Sequence, residues 1–240
     1  MYLRCELLRA FRNRRFFFLS LAFPLILFYV IAAPNKNNHN FGGSGLAAPL
    51  YYMVGLATFG AMMSTLSTGG RIAGERQAGW TRQLRVSPLS PYQYFRTKVL
   101  VAYAMALITL VVLFAAGTSL GVHVAGLKLA EMLGLMIVGL APFAAIGIFI
   151  GHLTNTDSVG PVIGGSVSLL ALVGGIWFPI QHGFLHDVGQ FLPSYWLVRA
   201  SHVVEHGHAW SGLGWAVVLG WFAVFAVAAR WAYRRDTGRV

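Results

Sequence analysis

Two short stretches of this chain carry residue types that hydrolytic enzymes use. His202, Glu205 and His206 form an H-x-x-E-H pattern, which places two imidazoles one helical turn apart and occurs in inverted zinc proteases. Ser44 lies in a G-x-S-G stretch, a form that also surrounds the nucleophile of some serine proteases. Hydrolysis by a zinc-bound water or by a serine nucleophile is therefore one hypothesis for this chain.

Neither stretch is accompanied by the other groups that its chemistry needs. A hydrolytic zinc takes three protein ligands and keeps one open position. The only acid after His206 is Asp236, which follows another long apolar run. A serine nucleophile needs a base within hydrogen-bond reach, but Ser44 lies in an Asn- and Gly-rich loop and no histidine falls within an apolar run. We expect a flexible loop around Ser44 and a polar helix face around His202, and we keep the hydrolase as an alternative.

The sequence offers no phosphate-binding loop and no carboxylate at mid-depth in a membrane. The nearest approach to a phosphate loop, residues 121–126, is followed by Leu127 where the motif requires lysine. Glu131 and Asp157 lie near the ends of apolar runs, and the other acids lie outside them. A proton-driven carrier therefore lacks its usual coupling group. We expect this chain to bind no cofactor and no metal.

Composition indicates an integral membrane protein. Of the 240 residues, 57% are hydrophobic and 10% are charged, whereas soluble domains contain about 25% charged residues. The apolar residues fall into runs of about 20, which is the length of a membrane-spanning helix. We predict an all-α integral membrane protein in which residues 1–240 form a single transmembrane domain with six transmembrane helices. The predicted spans cover about residues 16–33, 49–70, 97–122, 129–151, 159–180 and 213–233.

The basic residues predict the orientation of these spans. The formal net charge is +11, and the lysines and arginines cluster at the ends of apolar runs, which is typical of membrane topology rather than of nucleic-acid binding. With six spans, only Lys36, Lys128 and Arg199 of the 18 basic residues fall on one side of the membrane. The positive-inside rule therefore places both termini and residues 71–96 in the cytoplasm. Cys5 is the only cysteine, so no internal disulfide is possible.

The first 15 residues have the pattern of an amphipathic helix. Leucines and a phenylalanine recur at helical spacing among arginines, as in helices that lie on a membrane surface. We predict an N-terminal interface helix over residues 1–15. Its candidate interface residues are Arg4, Arg9, Phe11 and Arg12.

The polar interval between spans two and three predicts a second helix. Residues 73–84 can form about three helical turns, which Ser87-Pro88 would terminate. Trp80 is an aromatic residue of the kind that anchors interfaces, and a short helix with an exposed aromatic and arginines suits docking into a groove of a soluble partner. Ser90 and Gln93 then form a capping box that marks the start of the next helix.

The order of these features resembles the ABC-2 class of permeases, the membrane subunits of bacterial ABC exporters. The resemblance covers essentially the whole chain. It rests on the basic amphipathic N-terminus, on E-R-x-x-G at 75–79 followed by S-P-L-S at 87–90, and on the stretch from Pro193 to Arg199. Within this class the chain is most similar to drug-exporter permeases of the daunorubicin type.

This resemblance implies that a separate subunit performs the ATP chemistry. In the family, the loop after span two carries a cytoplasmic coupling helix that sits in a cleft of an ATPase subunit, where ATP and Mg²⁺ bind. Trp80 departs from the small or polar residue expected after the glycine. The positions that would form the coupling interface here are Glu75, Arg76, Gly79, Trp80, Arg82, Leu84 and Pro88.

The resemblance also implies an assembly and a substrate class. Residues 181–212 would fold as short re-entrant external helices between spans five and six, with Pro179, Pro193 and Arg199 as marker residues. Two ATPase subunits and a second permease copy or a paralogue would complete the complex in the bacterial inner membrane, in contact with its lipids. The expected substrate is a hydrophobic drug-like molecule or a lipid moved outward. A glycan exporter of the O-antigen type is the alternative within transport.

Overall fold

The computed structural model describes residues 2–13, 18–79, 90–180, 182–206 and 210–237, which form helices joined by turns, with no strand among them. The all-α prediction is therefore confirmed. A π-helical turn at Phe18–Ala22 precedes α2, and 3-10 turns occur at Phe41–Gly43 and Ala200–His202. The α-helices are α1 (Tyr2–Phe11), α2 (Phe23–Ala32), α3 (Ala48–Leu66), α4 (Thr68–Gln77), α5 (Pro91–Ser119), α6 (Gly126–Gly139), α7 (Ala141–Leu153), α8 (Thr156–Val173), α9 (Phe184–Gly189), α10 (Pro193–Arg199), α11 (Val203–His206) and α12 (Gly212–Thr237).

Four helical stretches within the described ranges are long and apolar enough to cross a membrane. They coincide with predicted spans three to six. Predicted span one corresponds to a shorter apolar helix at Ser20–Ala32, and predicted span two corresponds to the 19-residue α3. The six-span count therefore stays a prediction. The four stretches are Tyr92–Ser119, Gly126–Leu153, Thr156–Val173 and Gly212–Asp236.

Helix α3 lies at the centre of the bundle. Every residue of α3 except Met63 is buried, and the helix packs against α2, α5, α7, α8 and α10. The neighbouring chain approaches closely at small residues. A Cβ atom at Gly55, for example, would lie 2.9 Å from the carbonyl oxygen of Ile176. Protein therefore surrounds this predicted span on all sides. Its side chains need not be as hydrophobic as those of a helix that faces lipid.

The short helix α4 crosses α7 at backbone contact. A Cβ atom at Gly151 would lie 2.6 Å from the carbonyl oxygen of Gly69 and 2.8 Å from its Cα. A Cβ atom at Gly147 would lie 2.9 Å from the carbonyl oxygen of Thr65. Small residues permit such close approach of two helices. The glycines thus bring the polar segment after α3 directly against α7.

Two helices end earlier than the sequence predicts. The helix expected at 73–84 instead lies at Thr68–Gln77, and Gly79 follows with φ 71°, in the left-handed region where glycine commonly terminates helices. Residues 80–89 lie outside the described residues. Helix α8 ends at Val173 rather than near residue 180, and Gly175 has φ 75° in the turn that follows.

The start of α5 agrees with the predicted capping box. The hydroxyl of Ser90 accepts a hydrogen bond from the backbone N–H of Gln93 at 3.2 Å. The backbone N–H of Ser90 donates to Oε1 of Gln93, also at 3.2 Å. Pro91 occupies the first turn, where a missing N–H has no effect. This prediction is confirmed, and it fixes where α5 emerges from the polar interval.

The α4–α7 crossing yields a stability prediction. Gly151→Ala would force a methyl group into the backbone of Gly69, so we expect the free energy of unfolding to fall by about 1–3 kcal/mol. Gly134→Ala is the matched control, because Gly134 is exposed in α6 and a Cβ there meets nothing within 4 Å. We expect it to be neutral or to stabilise by up to about 1 kcal/mol through helix propensity. Thermal melting in detergent measures both, and equal melting temperatures for the two variants would contradict the crossing.

Candidate functional site

Helix α4 presents two adjacent charged side chains to different parts of the bundle. Consecutive residues on an α-helix are rotated by about 100°, so Glu75 and Arg76 point in different directions. Glu75 faces α1 and α5, whereas Arg76 faces the end of α7 and the end of α12. Each is the centre of an ionic network, and α4 is the element that the two networks share.

The first network, called here the Lys98 network, consists of Glu6, Glu75, Tyr94 and Lys98. The ammonium group of Lys98 has 0% exposure and donates to Oε2 of Glu6 at 2.8 Å and to Oε1 of Glu75. The hydroxyl of Tyr94 donates to Oε2 of Glu75 at 2.9 Å. Both oxygens of the buried Glu75 carboxylate are thus hydrogen-bonded. The network joins α1, α4 and α5.

Two arginines lie beside this network. Nη1 of Arg9 is 3.5 Å from Oε1 of Glu75, although most of the Arg9 side chain is exposed. Arg71 is directed to the same region, and its Nη2 donates to the hydroxyl of Thr68 at 2.9 Å. Burial lowers the pKa of Arg71, and the carboxylates of Glu6 and Glu75 oppose this shift. Two carboxylates therefore hold several positive charges at the junction of α1, α4 and α5.

The second network, called here the Arg76 network, consists of Arg76, His152 and Asp236. Nε and Nη2 of Arg76 each donate to one oxygen of Asp236 at 2.7 Å, in the bidentate geometry that makes arginine–carboxylate pairs strong. Nη1 of Arg76 donates to the carbonyl oxygens of Gly151 at 3.2 Å and Thr154 at 3.0 Å. Nδ1 of His152 lies 3.3 Å from Oδ2 of Asp236. This network ties α4 to the C-terminal ends of α7 and α12.

Aromatic rings connect the Arg76 network to α5. The ring of Tyr233 packs edge-on against His152 at 5.5 Å and against Phe95 at 4.8 Å between ring centroids. Phe95 also contacts His152 at 6.1 Å. Phe95 lies one residue after Tyr94 of the Lys98 network. The start of α5 therefore contacts both networks.

The structure places only some of the predicted coupling positions. Glu75 is 2% exposed and Arg76 is partly buried, so both contact other helices of this chain. Gly79 ends the α4 segment with its positive φ. The remaining coupling positions, which include the aromatic residue, lie outside the described residues. They are Trp80, Arg82, Leu84 and Pro88.

The N-terminal helix has its apolar side chains on the outside of the protein. Leu3, Leu8 and Phe11 of α1 are exposed, whereas Glu6 and Ala10 are buried against α5. This arrangement is consistent with a helix that rests on a membrane surface, and that location stays a prediction. The three arginines predicted at the interface, Arg4, Arg9 and Arg12, are exposed.

Sequence reasoning missed five members of the two networks: Glu6, Tyr94, Lys98, His152 and Asp236. Lys98 carried a usable signal, because an ammonium group inside the first turns of an apolar helix requires a buried carboxylate nearby. Glu6 was a visible candidate partner, since it is the only acid before residue 75. Asp236 carried no comparable signal, because a charged residue near a terminus normally faces water.

The region between predicted spans five and six contains short helices, as predicted. They are α9, α10, the 3-10 turn at Ala200–His202 and α11. Pro193 begins α10 and is buried, and Nη1 of Arg199 donates to the hydroxyl of Tyr195 at 2.6 Å. Pro179 lies against Gly42, where a Cβ atom would be 2.7 Å from its ring. Entry of this region into the outer leaflet stays a prediction.

The residues of the hydrolase alternative have local structural contacts. The hydroxyl of Ser44 donates to the carbonyl oxygen of Phe41 at 2.7 Å and accepts from the N–H of Leu46 at 3.3 Å, which is a turn-stabilising pattern. Ser44 and His202 both line a cavity of about 200 Å³. No cluster of three or more His, Cys, Asp or Glu side chains suited to a metal occurs among the described residues. The side chains of Glu205 and His206 are not among those described.

The Lys98 network predicts a large effect of one substitution. Lys98→Met would remove the buried counter-ion that both carboxylates contact most closely and leave them the largely exposed Arg9, so we expect the free energy of unfolding to fall by about 3–5 kcal/mol. Adding Glu6→Gln and Glu75→Gln should restore much of this loss, because the buried charges are then absent. Arg96→Met is the control on the same helix, since Arg96 is exposed. Chemical unfolding of the four proteins measures the effect, and equal losses from Lys98→Met and Arg96→Met would refute it.

Comparison with known proteins identifies the family. A sequence profile described as ABC-2 family transporter protein matches residues 35–231, which is most of the chain and includes α3 to α11 and most of α12. A putative transport permease of Bacillus subtilis (strain 168), YvfS, is 25% identical over 235 residues, which cover 96% of this chain and 95% of that protein. The match to the family profile and the match to the Bacillus subtilis permease both include α4, the helix that carries Glu75 and Arg76. The chain therefore belongs to the ABC-2 family of transporter proteins, as its sequence features predicted.

Proposed function

We propose that this chain is the permease subunit of an ATP-driven exporter and that a separate ABC ATPase subunit binds Mg²⁺ and hydrolyses ATP for it. The observation that supports this proposal most directly is the position of α4. One ionic network joins α4 to α1 and α5, the other joins it to α7 and α12, and α4 leads directly into residues 80–89. A force applied to residues 80–89 would therefore reach four helices through named contacts.

Within residues 75–88, different residues would dock the ATPase and transmit force to the permease helices. Trp80, Arg82, Leu84 and Pro88 would contact the ATPase, because an aromatic residue near arginines suits a groove on a soluble partner. Glu75 and Arg76 would act inside the permease, since their side chains pair with other helices of the same chain. Gly79 would allow the chain to change direction between the two parts.

The expected cargo is a hydrophobic drug-like molecule or a lipid that moves outward across the bacterial inner membrane. Six spans of one chain leave little space for a large amphiphile, so two permease chains, either two copies or this chain with a paralogue, would form the path together with two ATPase subunits. Both termini would lie in the cytoplasm, as the basic residues predict. A glycan exporter of the O-antigen type shares this organisation and is the alternative. The hydrolase remains a less favoured alternative, and activity of the isolated chain that Ser44→Ala or a chelator abolishes would support it.

The docking proposal predicts that substitutions within residues 80–89 weaken binding of the ATPase subunit. Affinity purification of the tagged chain from its native host should recover an ATPase, identified by mass spectrometry from its phosphate-loop sequence. We expect Trp80→Ala or Arg82→Ala to weaken that association by about 2 kcal/mol or more, which is roughly thirtyfold. Arg235→Ala is the control, because Arg235 packs over the ring of Trp231 on α12, 5.4 Å from its centroid. Undiminished ATPase recovery with both docking variants would overturn the assignment of residues 80–89.

The force-transfer proposal predicts uncoupling without loss of the partner. Asp236→Asn removes the charged acceptor of the bidentate pair with Arg76 while the carbonyl contacts of Arg76 remain possible. Loss of a hydrogen bond to a charged group amounts to about 1.5–3 kcal/mol, so we expect transport per ATP hydrolysed to fall roughly tenfold in reconstituted vesicles.

The ATPase should remain bound to the Asp236→Asn protein, which distinguishes this variant from Trp80→Ala. Asp157→Asn serves as the matched control, because Asp157 is an exposed acid in the first turn of α8. Full coupling in Asp236→Asn would show that the Arg76 network carries no force. Release of the ATPase by the same variant would show that the network shapes the docking surface instead.

A further inference from the structure

A large apolar cavity lies between α5, α7 and α12, on the opposite side of α7 from the buried α3. Its volume is about 770 Å³, and its walls include Val99, Ala145, Ile148 and Phe222. Phe222 is 42% exposed, so the cavity opens to the outside of the bundle along α12. A cavity of this size and lining suits one hydrocarbon chain rather than water, because its walls offer few polar partners.

The cavity has a polar end with positive charge. Arg230 and Arg234 line it one helical turn apart on α12, so their guanidinium groups share a face of that helix. Tyr92 and Tyr233 line the same end, and tyrosine is typical of the level of lipid headgroups. No aspartate or glutamate is among the fourteen residues that line the cavity. The charge at this end is therefore complementary to an anion.

The length of the cavity matches one leaflet of a bilayer. Phe222 and Arg234 are twelve positions apart on α12, which corresponds to roughly 18 Å along the helix axis. One leaflet contributes about 15 Å of hydrocarbon to a bilayer. An acyl chain that lies along α12 would therefore place its headgroup beside the two arginines while its methyl end reaches the level of Phe222.

Two rings that line the cavity pack against the Arg76 network. Tyr233 and Phe95 line the cavity, and both rings pack against His152, which contacts Asp236. A molecule in the cavity would contact both of these rings. Occupancy would therefore restrict the motion of α5, α7 and α12 relative to one another at the point where Arg76 joins them.

We propose that this cavity is a binding site for an anionic phospholipid, with one acyl chain between α5, α7 and α12 and the phosphate on Arg230 and Arg234. The lipid braces the three helices that surround the Arg76 network. Every residue that forms the site belongs to the permease chain itself, so lipid binding requires no ATPase partner.

Native mass spectrometry of the purified full-length chain, with phosphatidylglycerol or phosphatidylcholine added in separate titrations, tests this site. We expect wild-type protein to retain phosphatidylglycerol more strongly than phosphatidylcholine. Arg230→Gln should reduce phosphatidylglycerol retention roughly fivefold, since one arginine near a lipid surface contributes about that factor. It should reduce phosphatidylcholine retention by a smaller factor, because the choline cation of that lipid offsets the charge of its phosphate. Arg235→Gln is the matched control, because it removes the same charge from the same helix where the side chain packs over Trp231.

A second variant tests the apolar part of the site. Ala226→Leu fills the cavity without touching a charge, and it should reduce retention of both lipids and abolish the rise in melting temperature that phosphatidylglycerol gives to wild type. Ala226 is only partly buried, so the larger side chain should not prevent folding, and the melting curve without lipid verifies this. The proposal is overturned if Arg235→Gln weakens retention as much as Arg230→Gln or if Ala226→Leu retains lipid normally. Conversion of a dimer to a monomer by Ala226→Leu would also overturn it, because the face would then be a contact between two copies.

Discussion

A fully buried ammonium group determines how the helices at this end of the protein are arranged. Transfer of an ion from water to a protein interior costs several kcal/mol even after relaxation, and only close, well-oriented counter-ions offset that cost. Lys98 on α5 has 0% exposure, so Glu6 of α1 and Glu75 of α4 must both reach it. Three elements far apart in sequence are thereby fixed to one point. Displacement of either carboxylate would leave a buried charge without its partner. Positions of α1, α4 and α5 that separate these charges are therefore disfavoured.

Helix α4 gains its importance from geometry rather than from length. It has only ten residues, and short isolated helices are marginal in water, so its contacts must stabilise it. The rotation between consecutive residues directs Glu75 into the Lys98 network and Arg76 into the Arg76 network. Gly69 lies two helical turns before Arg76 on nearly the same side of α4, and its crossing with Gly151 holds that side against α7. A polar segment that hydropathy alone would assign to water is thus an internal connector.

The sequence predicted the helical regions well because each depends on local signals. Runs of apolar residues located the four long apolar helical stretches, and Ser90 with Gln93 located the start of α5. The ionic networks were not predictable in this way, since Arg76 and Asp236 are 160 positions apart and no local pattern relates them. Hydropathy also treats every charge as one that seeks water, whereas a charge with a counter-ion can be buried. That is why the sequence predicts a helix over residues 73–84 in a polar loop, whereas α4 spans Thr68–Gln77 and packs against other helices of the chain.

The two networks on α4 differ in their exposure to solvent, and this difference decides which of them can open. The Lys98 network excludes water, with side-chain exposures between 0% and 5% for its three charged members, so separation of its charges would leave them uncompensated. The Arg76–Asp236 pair is partly solvated, with side-chain exposures of 26% and 20%, and water can replace its hydrogen bonds at much lower cost. The contact between α4 and α7 combines the glycine crossing with Ile72 of α4, which packs in a buried apolar cluster with Ile148 of α7. Of the two networks, the Arg76 network is therefore the one that can open at lower cost, and it joins α4 to α7 and α12. A displacement of α4 would carry α1 and α5 with it through the Lys98 network, and it would be resisted by the Arg76 network and by the apolar cluster around Ile72.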